Sequence, residues 1–191
     1  MKSLLALAAF AVASSTIALP AVAAESRYSS LGDKSCRLDK AASRKIQRHE
    51  DFDPMLYRCS GGGGHTVSIT YHGLYVRVSI GSKGKLLDVF TPYDAGPKIE
   101  WRGPKGAATA AILRLSARGN RPVPDSVLAV LKLTPERDCL VAIIDTAANP
   151  EPNELARQTA DNIDAASCEK PEVVGKSSEA ATEILSFNVA R

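Results

Sequence analysis

The chain has 191 residues, 45% hydrophobic and 24% charged, with 24 Lys and Arg against 21 Asp and Glu. That balance excludes fibrous and disordered classes and suits one domain large enough to bury a core. A net charge of +3 is too small to imply a nucleic-acid partner.

Lys2 precedes an uncharged stretch from Ser3 to Leu19, followed by Pro20 and the small residues Ala21-Val22-Ala23-Ala24. This is the pattern of a secretory signal peptide, residues 1–23, cut after Ala23. The apolar run is shorter than the roughly 20 residues of a spanning helix, and no later segment is long enough, so no membrane span is expected. Residues 24–33 read as a flexible N-terminus. The expected location is periplasmic or secreted.

All four cysteines, Cys36, Cys59, Cys139 and Cys168, lie in the exported part. An oxidising compartment turns an even count into disulfides, and the absence of any C-x-x-C removes the usual zinc and redox geometries. Pairing Cys36 with Cys59 and Cys139 with Cys168 brackets two local units.

Between Lys34 and Phe52 the residues Leu38, Ala42 and Ile46 form a thin apolar stripe at helical spacing, which predicts a short surface helix. Its basic residues Arg37, Lys40, Arg44, Lys45 and Arg48 read as a solvated face, with anionic envelope polymers or lipids as the functional counterpart. Gly61 to Gly64 lead into alternating segments at Thr66 to Tyr71 and Leu74 to Ile80. These predict a β-hairpin turning at His72-Gly73, with Tyr71 opposite Leu74, Ile69 opposite Val76 and Val67 opposite Val78. Ser68, Thr70, Tyr75 and Arg77 then share the other face. A strand at Leu86 to Phe90, a loop from Pro92 to Pro97 and a strand at Ile99 to Arg102 extend this into a meander.

Ala107 to Leu115 is open between helix and strand, with its alternation favouring strand. Val127 to Leu133 and Leu140 to Ile144 are nearly continuous apolar runs, predicting neighbouring strands buried on both faces. Glu154 to Ala166 has Leu155, Thr159 and Ile163 in one stripe with Ala156 and Ala160 beside it, an amphipathic helix that Asn153 is placed to cap. Lys170 to Arg191 is polar and weakly patterned, with a short strand at Ile184 to Val189.

Catalytic and metal signatures are incomplete. Ser82-Lys83-Gly84-Lys85 fits S-x-x-K but carries turn signals, Gly175-Lys176-Ser177 lacks the earlier glycine of a phosphate loop, and His49-Glu50 lacks the second histidine of a zinc protease. His49, Glu50, Asp51 and Asp53 crowd together without the spacing of a calcium loop. No metal and no cofactor is expected. Asp145 ends an apolar strand where α/β enzymes often place a carboxylate, although turn and capping chemistry use the same residues.

The fold class expected is α+β: an antiparallel sheet of about six short strands, stapled by disulfides, with a C-terminal amphipathic helix packed on one face. One globular domain spans 34–168, and 169–191 is a polar, weakly ordered tail. The function expected is that of an exported, non-catalytic module, inhibitor-like, binding an envelope protein or cell-wall polymer. The nominated binding face is Thr70, His72, Tyr75 and Arg77, where a tyrosine points away from the core beside polar groups. The alternative is a periplasmic hydrolase whose dispersed residues His65, His72 and Asp145 converge in space.

Overall fold

The computed structural model describes residues 25–32, 34–47, 53–73, 75–82, 85–91, 93–117, 126–136 and 138–189. In chain order the strands are β1 (Arg27–Ser30), β2 (Cys36–Leu38), β3 (Met55–Ser60), β4 (Thr66–His72), β5 (Tyr75–Ser82), β6 (Lys85–Thr91), β7 (Tyr93–Arg102), β8 (Ala110–Ala117), β9 (Ser126–Lys132), β10 (Cys139–Asp145) and β11 (Glu172–Val173). The helices are α1 (Lys40–Gln47), α2 (Pro152–Asp161) and α3 (Glu179–Val189), with a 3₁₀ turn at Ile163–Ala165. The predicted signal segment and Arg48 to Phe52, including His49, Glu50 and Asp51, lie outside the described residues, as do Lys83 and Gly84.

The chain is mostly β with few helices and two disulfides, but the single antiparallel sheet expected from the sequence is replaced by two. One runs β1-β7-β8-β9-β10-β11 and the other β2-β3-β4-β5-β6. All pairings are antiparallel except β10 with β11. The predicted meander breaks between Thr91 and Tyr93, because β6 and β7 belong to different sheets. Most of the expected Pro92 to Pro97 loop is the start of β7, where the pairing with β8 slips between Ala95 and Ile99. A bulge of this kind bends a strand without ending it.

The two sheets face each other. Val67, Ile69, Val76, Val78 and Ile80 from the smaller sheet pack on Ile99, Trp101, Leu113, Leu115, Ala129, Leu131 and Ile143 from the larger one. The opposite face of the larger sheet carries Ala110, Ile112, Leu128, Val130 and Ile144, covered by Ala156, Ala160 and Ile163. Strands β9 and β10 are therefore apolar on both sides, which explains their near-continuous apolar runs. Burial of these side chains out of water is the main stabilising term, about 25 cal/mol per Å² of apolar surface.

Polar clips fix α2 on this layer. Arg102 grips the Asp161 carboxylate through Nε at 2.9 Å and Nη2 at 2.7 and 2.6 Å, and Arg157 Nε donates to Glu100 at 2.9 Å. Burial raises the Glu100 carboxyl, but hydrogen bonds from Arg157 and Ser26, with the Arg157 charge and Tyr28, outweigh it and hold the group below its usual range. The same partnership raises the Arg157 guanidinium. Pro152 sits at the helix start, as its missing N–H permits. Asn153 is not the cap: Glu151 occupies that position without a side-chain bond, and Asn153 Oδ1 accepts from Arg114 instead.

The N-terminal unit contains strands as well as helix. Arg27–Ser30 pairs with β7 where a flexible lead was expected, and β2 takes Leu38 out of the predicted helix. Asp39 caps α1 by accepting the Ala42 N–H at 2.9 Å and pairs with Arg58 Nε at 2.7 Å. That N–H first, and Arg58 second, hold its carboxyl below the usual value. Cys36 and Cys59 stand directly opposite each other with Cα atoms 4.1 Å apart and are bonded, and Cys139 is bonded to Cys168 at 5.5 Å.

Beyond residue 168 the chain continues in the fold. Ile184 to Val189 is helix, not strand, and α3 packs on β6 and β10, one from each sheet. Its Ala181 and Ile184 enter the core between the sheets. The polar composition that suggests a tail comes from the other side of this helix.

Candidate functional site

The expected turn at His72-Gly73 is corrected: β4 runs through His72 and β5 begins at Tyr75, and Leu74, expected opposite Tyr71, lies outside the described residues. Gly73, with φ of 57°, takes the first turn position, where positive φ strains other residues, and His72 stays in the strand opposite Tyr75. The pairing accordingly moves two places: Tyr71 faces Val76, Ile69 faces Val78 and Val67 faces Ile80. An even displacement preserves the face of every side chain. The nominated residues Thr70, His72, Tyr75 and Arg77 thus share the outer face of the smaller sheet, with Thr70 opposite Arg77. Thr70 is only 3% and His72 7% exposed, while Tyr75 and Arg77 are half-buried. His72, Tyr75 and Arg77 are all engaged in interactions of their own.

The inner face of the same sheet leaves a concave apolar surface. Leu31, Cys36, Met55, Tyr57, Ile69 and Tyr71 line a groove of about 210 Å³. Tyr57 and Tyr71 meet edge to face, centroids 6.0 Å apart at 87°. The groove's walls come from β3 and β4, and Leu31 and Cys36 close it from the N-terminal unit. Its margin holds Met55, 47% exposed, and Leu38, 42% exposed, which faces Tyr57 across the β2–β3 pair. Tyr28 is the third large apolar side chain that stands exposed among the described residues.

At the other end of β4 a buried pair forms that the sequence does not signal. His65 stacks on Trp101, centroids 5.6 Å apart and planes 18° from parallel, and its Nδ1 lies 3.9 Å from Asp138 Oδ2. Asp138 Oδ1 accepts the Thr134 N–H at 3.1 Å. His65 also borders a cavity of about 240 Å³ lined by Ala107, Ala108, Thr109, Leu133, Thr134 and Pro135. Of the four preceding glycines, Gly61 and Gly62 have a packing role here: a Cβ on Gly62 would stand 2.7 Å from Trp101 Cδ1, and one on Gly61 2.3 Å from the His65 carbonyl oxygen. Trp101 Nε1 donates to Ser29 Oγ at 3.0 Å.

The trio considered for hydrolysis does not assemble. His65 precedes β4 and His72 ends it, and seven residues of strand at ~3.3 Å each separate them by about 20 Å. Asp145 stands at the far end of β10 from Asp138. Its Oδ1 accepts the Ala147 and Ala148 N–H groups at 2.8 and 2.7 Å, and Oδ2 accepts the Ser178 hydroxyl. Asn149 Nδ2 donates to the Asp145 and Lys176 carbonyls at 2.8 and 3.0 Å. These bonds tie α3 to the sheet and occupy the carboxylate structurally.

Sequence reasoning missed Asp138 because it stands in a polar turn. The available signal was a carboxylate immediately before a fully apolar strand. It missed Met55 and Tyr57 because β3 is short and its apolar residues are interrupted by Arg58. Among the described residues no group of three or more His, Cys, Asp or Glu side chains is placed to hold a metal ion. No described helix is long and apolar enough to cross a membrane, and the two disulfides suit an oxidising compartment. Comparison with protein-family models, with curated proteins and with solved structures finds no match to this chain.

Proposed function

We propose that this chain is an exported binding module that captures an envelope protein without doing chemistry on it. The observation that carries the reading is the groove of Leu31, Met55, Tyr57 and Tyr71, an apolar hollow with two aromatic walls and an exposed methionine at its mouth. A hollow walled by tyrosines with a methionine at its mouth is the shape that receives a partner's anchoring side chain. The Cys36–Cys59 bond braces its floor. Tyr75 and Arg77 on the outer face form the competing contact surface, reduced because Thr70 and His72 beside them are buried.

The test is retention of partners from solubilised cell envelope by the oxidised protein. Met55→Ser with Tyr57→Ser should abolish retention, and Tyr75→Ala with Arg77→Ala should leave it nearly unchanged. The opposite pattern moves the contact to the outer face, and loss in neither variant rejects both. Hydrolysis is the second reading, favoured by His65 at the wall of a cavity with the Asp138 carboxylate 3.9 Å from its Nδ1, the residue types of a general base and its partner. It requires that His65→Ala abolish a measured activity while the groove variants retain it.

A further inference from the structure

Residues 34–60 hold seven basic and four acidic side chains, a net +3 equal to that of the whole chain. The positive charge of the protein is therefore concentrated on the disulfide-closed unit that builds the groove. Arg37, Lys40, Arg44 and Lys45 are exposed there, and none is paired with a carboxylate among the described residues. Arg37 stands opposite Arg58 on the other face of the sheet from Cys36 and Tyr57, so the cations on the groove's side are those of α1, Lys40, Arg44 and Lys45. The nearby Asp39 is already committed to capping α1 and holding Arg58. Helix α1, which carries Lys40, Arg44 and Lys45, packs on β3, the strand that supplies Met55 and Tyr57 to the hollow.

A bare polyanion would use the charge and leave the hollow empty. A neutral apolar ligand would fill the hollow and leave the charge unanswered. We propose that the groove receives a protein segment in which one large apolar side chain is flanked by aspartate or glutamate residues, an inference that rests on the binding reading above. The apolar anchor occupies the roughly 210 Å³ between Tyr57 and Tyr71, and the carboxylates lie toward α1. Charge at such a rim acts on association rate and selectivity more than on residence time.

The experiment is a peptide array with central Leu, Phe or Trp flanked by Glu, Lys or Ser, probed with the full oxidised chain. The strongest Glu-flanked peptide is then titrated by fluorescence anisotropy. Retention confined to the Glu-flanked set is expected. Arg44→Glu with Lys45→Glu should weaken binding about tenfold at low salt and flatten its salt dependence. Met55→Ser should weaken it at all salt concentrations. Both variants alter exposed side chains, and an unchanged melting temperature verifies their folding.

Equal retention of Lys-flanked peptides, retention of none, or indifference to the charge reversal overturns the inference. Equal binding of polyglutamate or of anionic phospholipid vesicles also overturns it, in favour of an anionic surface. If envelope partners are lost on Met55→Ser with Tyr57→Ser but unaffected by the charge reversal, the acidic chemistry is refuted while the binding reading stands. Loss in neither refutes both.

Discussion

Gly62→Ala isolates the close approach that builds one end of the core. The added Cβ would meet Trp101 Cδ1, Cγ and Nε1 at 2.7, 2.8 and 2.9 Å, where ordinary contacts between such atoms are about 3.5 to 4.0 Å. Trp101 has nowhere to retreat: it is 1% exposed, stacked on His65 and held by Ser29. Relieving the overlap requires the loop or the indole to shift by about 0.7 Å or more, and overpacking of that size costs about 2 to 3 kcal/mol. Gly64→Ala is the matched control, since φ there is 83° but no atom lies within 4 Å of the new Cβ. It isolates backbone strain, about 1 kcal/mol. For a chain of this size each kcal/mol moves the midpoint by about 2–4 °C, so Gly62→Ala should lower Tm by roughly 4–12 °C and Gly64→Ala by roughly 2–4 °C. Trp101 is the only tryptophan, so fluorescence-detected melting reads the perturbed site directly. A Gly62→Ala midpoint at or above that of Gly64→Ala refutes the packing argument.

Because the Glu100 carboxyl is held below its ordinary value, the unfolded chain binds the extra proton first. Its contribution to stability is present above the ordinary range near 4.5 and is lost as pH falls through the lower folded value. Chemical denaturation between pH 6 and 3 should show this arm, and Glu100→Gln should flatten it. Ile184→Ala should cost about 2 to 5 kcal/mol, because the side chain is fully buried between the sheets. A change below about 0.5 kcal/mol in urea titration would mean that α3 is not part of the folded core. Breaking either disulfide by paired Cys→Ser substitution, across separations of 23 and 29 residues, should cost about 3 kcal/mol. Cys36→Ser with Cys59→Ser should in addition weaken partner retention, whereas the Cys139 and Cys168 pair should not, since only the first braces the groove.

Features with a short period were readable along the chain. Strand alternation assigned the faces of Val67, Ile69, Thr70 and Arg77 correctly even though the expected pairing was out of register, because a two-place slip leaves parity unchanged. The continuous apolar runs of β9 and β10 announced burial on both sides, and the cysteines closed two local loops. What tertiary structure alone decided was partition and meeting. Nothing local tells β6 from β7, yet one joins each sheet, since that choice depends on which distant strands offer an unpaired edge. The polar C-terminal segment became a packed helix because a few apolar residues, Ala181 and Ile184 with Leu185 beside them, found the space between the sheets. His65 met Asp138 across 73 positions, and Tyr57 met Tyr71 in the wall of the groove. Local chemistry dictated which face each side chain would take, and the packing of two sheets and α3 decided which of those faces would remain open to a partner.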